Sequence, residues 1–363
     1  MIRRRLLLTT DAVGGVWTYS LDLAREVAAQ DDMVVLLAVL GPAPNAEQLD
    51  AAAAIPGLQL IDTGLPLDWT AGSAEEVRAA ANALALLAEQ SGADLVQIHA
   101  PALALASYPV PVITVVHSCV ATWWSAIRSG SLPADLAWRR DLATEGLRRS
   151  DLLAAPSRSF ATALRDTYGL KHAPIDVPNG RVPLTAGSEI APGGFVLTTG
   201  RLWDEGKNIA TFDQAAALTA LPFRAAGASE GPNGAAIQLR HAEALGQVDE
   251  STLTALLSKR PIFVSPARYE PFGLSVLEAA QAGCPLVLSD IPTFRELWDG
   301  AALFADTAEQ IAAAVERLTG EDEARRFGDA ARTRATRFSP QATARAMLTH
   351  YNSLLGRERR AAA

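Results

Sequence analysis

The stretch from Pro261 to Phe304 constrains the fold most tightly, because short apolar runs alternate there with helical patterns at fixed punctuation. Ile262-Phe263-Val264 is bounded by Pro261 and Ser265-Pro266 and is too short for a helix, so it reads as a buried strand. The loop Arg268-Tyr269-Glu270-Pro271-Phe272-Gly273-Leu274 follows, and a helix is predicted from about Ser275 to Ala282, stopped by Gly283. Leu286-Val287-Leu288 then reads as a strand, and Ile291-Pro292-Thr293 turns the chain into a helix near Phe294 to Trp298. The whole is a β-loop-α-β-α unit.

Such a unit suits anions and polyols. Pro271 fixes the chain before the turn, Gly273 lets the backbone approach a ligand, and the amides of Gly273, Leu274 and Ser275 stand at a helix start that favours phosphate. Glu270 lies in the loop and Glu278 about one turn into the helix, so the two carboxylates are placed to grip hydroxyls on either side of a bound phosphate. On spacing alone, the commoner reading has Glu270 as a solvated loop charge and Glu278 as a helix-surface residue.

The rest of the chain repeats the alternation. Strands are predicted at Ile2 to Leu8, Met33 to Val39, Leu58 to Asp62, Leu95 to Ile98, Val110 to Val116 and Leu152 to Ala155, then at Phe195 to Thr199 and Phe223 to Ala228. Helices are predicted between several of them, among them one from Val16 with Tyr19, Leu23 and Val27 on its apolar face and an Ala- and Leu-rich one at Ala74 to Glu89. Strands alternating with helices indicate parallel sheets covered on both faces, with ligand loops at their carboxyl edges. At 363 residues the chain exceeds one ordinary core, and Val177-Pro178-Asn179-Gly180 is the natural break. The expected domains are 1–179, 180–339, and a last helix over 340–356 with a frayed tail from Arg357.

Three loops at strand ends hold chemistry. Asp11-Ala12-Val13-Gly14-Gly15 precedes the first helix without a full GxGxxG. His117 ends the strand at Val110 to Val116, where it also reads as a structural residue, and Trp123 and Trp124 after it read as a substrate platform or as packing. Gly200 to Asn208 carries Arg201 and Lys207, which on their own read equally as two bases of a surface loop or as a pairing suited to a diphosphate, since a guanidinium engages two oxygens and an ammonium adds a point charge. Lys259-Arg260 reads as a helix end at the surface.

The run Ser265-Pro266-Ala267-Arg268-Tyr269-Glu270-Pro271-Phe272-Gly273-Leu274-Ser275-Val276-Leu277-Glu278-Ala279 closely resembles the donor-binding signature of retaining glycosyltransferases of family 4 (GT4). The resemblance implies the GT-B fold: two Rossmann-like parallel-sheet domains facing across a cleft, the last helix crossing back onto the first domain. It places Glu270 on the transferred sugar, the amides of Phe272, Gly273 and Leu274 on sugar hydroxyl and phosphate oxygens, and Glu278 on the nucleotide ribose. It assigns Arg201 and Lys207 to the donor diphosphate, Gly15 to the phosphate-facing first loop, and His117 to the sugar site. The family usually carries an aspartate two residues after the Asn-Gly turn, where this chain has Val182. The resemblance is specific from about Gly200 to Phe304 and weaker before it.

The implied reaction is retaining transfer of a sugar from an NDP-sugar, UDP- or GDP-linked, to a hydroxyl of a saccharide or lipid-linked saccharide, as in polysaccharide biosynthesis. Without an Asp-x-Asp motif or a ligand cluster, no metal and no further cofactor is expected. The alternatives are a non-catalytic nucleotide-sugar-binding protein, a GT-B-like 2-epimerase and a glycoside phosphorylase. A net charge of −8 gives no global attraction to nucleic acid or anionic lipid. The two cysteines make no disulfide framework, and with no apolar run of spanning length the expectation is a cytoplasmic chain with at most peripheral membrane contact. Oligomeric state is open.

Overall fold

A computed structural model describes residues 3–29, 33–184, 191–231 and 234–361. The chain divides into two compact units, the first from 1–125, 129–180 and 339–363, the second from 126–128 and 181–338.

The first unit holds seven strands: β1 (Arg4–Asp11), β2 (Met33–Leu40), β3 (Leu58–Asp62), β4 (Leu95–Ile98), β5 (Val112–Val115), β6 (Leu152–Ala155) and β7 (Ile175–Asp176). All pair in parallel, in the order β3-β2-β1-β4-β5-β6-β7. Alternation along β1 explains the layers. Leu6 and Leu8 enter a core with Tyr19, Leu23 and Val27 of the Gly15–Ala28 helix and Met347 and Tyr351 of the Pro340–Ala361 helix. Leu7 points the other way, to Leu36, Leu84 and Val96. Both faces of the sheet are therefore covered, which is why its central strands read as unbroken apolar runs.

The second unit holds β8 (Val196–Thr199), β9 (Phe223–Ala226), β10 (Glu243–Gly246), β11 (Ile262–Ser265), β12 (Leu286–Leu288) and β13 (Ala302–Phe304), again all parallel, in the order β10-β9-β8-β11-β12-β13. Leu197 and Phe263 face Leu277 and Trp298 on one side, and Val196, Ile262 and Val264 face Phe212 and Ile311 on the other. In each sheet the strand order reverses once, between β1 and β4 and between β8 and β11. At such a reversal the loops after the two central strands diverge and leave a crevice at the carboxyl edge.

Several sequence expectations need correction. The strand in the first unit after β6 is β7, a two-residue piece too short to signal itself. Ala244 to Gly246, to which no element is assigned above, lies in edge strand β10, whose mostly exposed residues give no apolar pattern. Arg260 is not a surface helix end: it is 3% exposed at φ 50°, and its Nε donates to the Gly283 carbonyl at 3.0 Å, so the guanidinium satisfies a buried acceptor. The last helix continues to Ala361 instead of fraying from Arg357. Ile2, Pro232, Asn233, Ala362 and Ala363 lie outside the described residues. Of the two cysteines, Cys284 is buried and Cys119 half-buried. Among the described residues no helix is long and apolar enough to cross a membrane.

Candidate functional site

In the second unit the crevice at the β8/β11 reversal is built from the loops after those two strands. Gly200 follows β8, and its amide donates to the Ala226 carbonyl at 3.0 Å. From there Arg201 bridges to Asp204 at 2.9 Å, and the other Asp204 oxygen accepts the Gly206 amide at 2.9 Å, which shapes a short 3-10 turn ending at Lys207. Burial pushes the Asp204 carboxyl up, but Arg201, Lys207 and the Gly206 amide outweigh it and hold the group below the usual carboxylate range. The turn is stitched to the β11 loop through its backbone: the Gly206 carbonyl accepts the Arg268 and Tyr269 amides at 2.9 and 3.2 Å, and Asn208 Nδ2 donates to the Pro266 carbonyl at 3.1 Å.

These stitches bring the Lys207 ammonium onto Glu270, where Nζ donates to Oε2 with both side chains largely buried. Gly273 follows at φ 91°, a conformation costly for any residue with a Cβ, and an added Cβ would stand 3.2 Å from the Phe294 ring and 3.4 Å from Glu270. Glycine thus lets the chain turn directly into the Leu274–Gln281 helix, whose start has no side-chain cap. Phe272 is 3% exposed and packs edge-on against Phe338 at 5.6 Å, so what it offers a ligand is its backbone amide. Glu278 Oε1 accepts from Arg181 Nε at 2.9 Å, and Arg181 Nη2 reaches Glu250 at 2.8 Å.

Arg201, Lys207, Glu270, Gly273 and Leu274 are therefore assembled by two loops of one crevice, with Glu278 one turn into the helix and fixed by Arg181. The arrangement offers two cations, uncapped amides and two carboxylates, a set matched to a diphosphate bearing hydroxyl groups on both sides. Sequence reasoning did not find Arg181 or Asp204. The signal for Asp204 was its place between Arg201 and Lys207, whereas Arg181 stands 97 residues from Glu278 and gives none.

In the first unit, Gly15 opens the first helix after Gly14, which is extended at φ −160°. The Asp11 carboxylate accepts the Val13 amide at 2.8 Å and holds the loop before them. His117 follows β5, and the structure places His99, at the end of β4, beside it: their ring centroids are 4.8 Å apart, and Tyr19 packs against both at 4.5 and 5.4 Å. A buried chain backs this cluster, with Tyr351 donating to Gln97 Oε1 and Gln97 Nε2 donating to the Tyr19 hydroxyl at 3.4 Å. Burial pushes the His117 imidazole down to about 3, and burial together with His117 lowers His99, so both rings are neutral at ordinary pH. His117 Nε2 is closed off from solvent and has no hydrogen-bond partner among the described residues. The second histidine was legible, since His99 ends its strand as His117 does. Trp123 and Trp124 lie in the Val120–Ile127 helix and are both half-buried. Among the described residues no three of His, Cys, Asp or Glu are grouped to hold a metal ion.

Comparison with known proteins agrees with this division of the chain. The profile "Glycosyltransferase Family 4" matches residues 13–180, and "Glycosyl transferases group 1" matches residues 194–321. A glycogen synthase of Mycobacterium tuberculosis is 34% identical over 213 residues, which are 53% of this chain and 49% of that protein. The chain thus matches about half the length of this curated relative. The Escherichia coli O-antigen biosynthesis glycosyltransferase WclY is 42% identical over 52 residues, 14% of this chain and 15% of its own. Among solved structures, sucrose-phosphate synthase of Thermosynechococcus elongatus superposes with a TM-score of 0.79 at 18% identity, covering 98% of this chain and all of that one. Anabaena HepE, solved with UDP and glucose, superposes at 0.72 and 16% identity over 97% of this chain and all of its own.

Proposed function

Because the chain belongs to glycosyltransferase family 4 and has the GT-B fold, we propose that it transfers a sugar, with retention, from a nucleoside-diphosphate donor to a hydroxyl of a saccharide or lipid-linked saccharide. The observation that carries this reading is the convergence of Arg201, Lys207, Glu270 and the Gly273–Leu274 helix start on one crevice of the second unit. A UDP-sugar is the favoured donor, since HepE has been solved with UDP-glucose.

On this reading the bond between the anomeric carbon and the diphosphate oxygen breaks with its electron pair leaving on the diphosphate. Arg201, Lys207 and the amides of Gly273 and Leu274 stabilise that charge, a stabilisation that grows toward the transition state. Lys207 is held by Glu270 before the donor arrives. Binding exchanges part of that ion pair for phosphate oxygens and leaves Glu270 to accept hydrogen bonds from sugar hydroxyls. The acceptor oxygen attacks on the face the leaving group vacates, and its proton passes to a donor phosphate oxygen. Glu270 positions the sugar and is not a nucleophile of the glycosidase kind. The neutral His117 imidazole shapes the sugar site, and Gly15 allows close approach to the first loop.

The test is a panel of UDP-, GDP-, ADP- and TDP-sugars with saccharide acceptors, following nucleoside-diphosphate release and the anomeric configuration of the product by NMR. The reading expects release with one donor base, a product of unchanged configuration, and loss of turnover in Glu270→Ala. Inverted product would refute retention, and turnover with orthophosphate but no nucleotide would replace the reading with a phosphorylase.

A further inference from the structure

We propose that Arg181 is a positioning residue of the nucleotide site, holding the Glu278 carboxylate in the orientation in which it meets the ribose hydroxyls. The inference rests on the donor reading above and extends it to a residue that neither motif nor spacing marks.

Arg181 follows the Asn179-Gly180 turn. Its backbone is tied at both ends: the amide donates to the Phe338 carbonyl at 3.3 Å and the carbonyl accepts Gln281 Nε2 at 2.7 Å. Gln281 lies on the same helix as Glu278, three residues on, so one helix face holds the Arg181 backbone through one side chain and receives its guanidinium through the other. Nε meets Glu278 Oε1 at 2.9 Å and Nη2 meets Glu250 at 2.8 Å. The Arg181 and Glu278 side chains are 11% and 13% exposed, which separates this pair from the solvated ion pairs elsewhere on the surface.

Two consequences follow from that geometry. A glutamate on a helix loses rotamer freedom when it binds, and a planar fork anchored by its own backbone removes that freedom in advance. Glu278 also stands on the helix whose start is to receive a diphosphate, and the guanidinium offsets the repulsion between the two anions. A lysine would supply the charge without the fork that spans two carboxylates.

The experiment measures binding of whichever of UDP, GDP and ADP the wild-type chain takes, together with its 2′- and 3′-deoxy forms, and the donor KM and kcat. Wild type should prefer the ribose form to at least one deoxy form by about tenfold or more, as expected of a site built to hydrogen-bond a hydroxyl. Arg181→Ala should weaken the ribose form by about that factor and leave the deoxy form nearly unchanged, raising KM more than lowering kcat. Arg181→Lys should recover only part of the ribose affinity, and the discrimination only to that extent, and Arg181→Ala combined with Glu278→Ala should be no worse than Glu278→Ala alone. Should Arg181→Ala fail to fold, Arg181→Lys carries the same readout. Full ribose discrimination in either variant, or equal weakening of ribose and deoxy forms, overturns the inference while leaving the donor site standing. Failure of wild type to bind any nucleoside diphosphate removes the donor reading, and the inference with it.

Discussion

Replacing Gly227 with alanine should damage the proposed diphosphate site without touching any of its side chains. Gly227 follows β9 and packs on Gly200, which follows the neighbouring strand β8 and immediately precedes Arg201. A Cβ on Gly227 would stand 1.7 Å from the Gly200 carbonyl oxygen, and Gly227 holds φ at 139°, where residues other than glycine are strained. Restoring even a tight contact requires the two backbones to part by about 1.3 Å, in a packed interior that resists such shifts. The overlap costs about 1–3 kcal/mol and the backbone strain about 1–3 kcal/mol more. Because Gly200 leads straight into the Arg201–Lys207 turn, a displacement of this size should also weaken nucleoside-diphosphate binding by about 10- to 100-fold. Gly246→Ala is the matched control, since Gly246 has φ 68° but nothing within 4 Å of its would-be Cβ, so it carries only the backbone cost of about 1–2 kcal/mol. Urea unfolding and calorimetric titration read the two effects. Midpoints and affinities alike in the two variants would refute the reasoning.

The remaining predictions concern the first unit and one buried cation. Burial holds His117 at about 3 against 6.5 for a free imidazole, so the unfolded chain binds a proton that the folded chain refuses between those values. Its contribution is complete above pH 6.5 and is lost as pH falls, at about 1.4 kcal/mol per pH unit at most. Between pH 7 and 5 the thermal midpoint should therefore drop further in wild type than in His117→Gln, and equal drops would count against a neutral buried His117. Tyr351→Phe should cost about 1–3 kcal/mol in chemical denaturation, because it strands the buried Gln97 oxygen, and an unchanged midpoint would contradict that hydrogen bond. Arg260→Leu should lose about 1–3 kcal/mol by exposing the Gly283 carbonyl to an apolar neighbour while diphosphate affinity stays as in wild type; a stability gain would contradict the role given to Arg260.

What was legible in the chain followed from local signals. β3, β4 and β12 begin and end where apolar runs meet Gly, Pro and polar residues, and the Arg158–Tyr168 helix stops at Gly169, which takes the left-handed conformation. The Ala46–Ala53 helix went unread although Asn45 and Gln48 form a capping box, a signal the sequence does contain. β7 and β10 were missed because a two-residue strand and an exposed edge strand carry no period. Arg260 misled because a basic residue at a helix end ordinarily lies in water, and its capture by the Gly283 carbonyl depends on a contact 23 residues away. In the site, the loop sequences identified Arg201, Lys207, Glu270 and Glu278 as candidates. Pairing Lys207 with Glu270, 63 positions apart, required the β8/β11 reversal, and pairing Arg181 with Glu278, 97 positions apart, required the anchoring of Arg181 by Phe338 and Gln281.

The measurement that bears most directly on the donor site is calorimetric titration of nucleoside di- and monophosphates into wild type and into the variant carrying Arg201→Ala and Lys207→Ala. If the crevice after β8 and β11 holds a diphosphate, wild type should bind the diphosphate about tenfold or more tightly than the monophosphate, and the double variant should lose that preference. Equal affinity for the two ligands in wild type, or a preference that survives removal of both cations, would contradict the account.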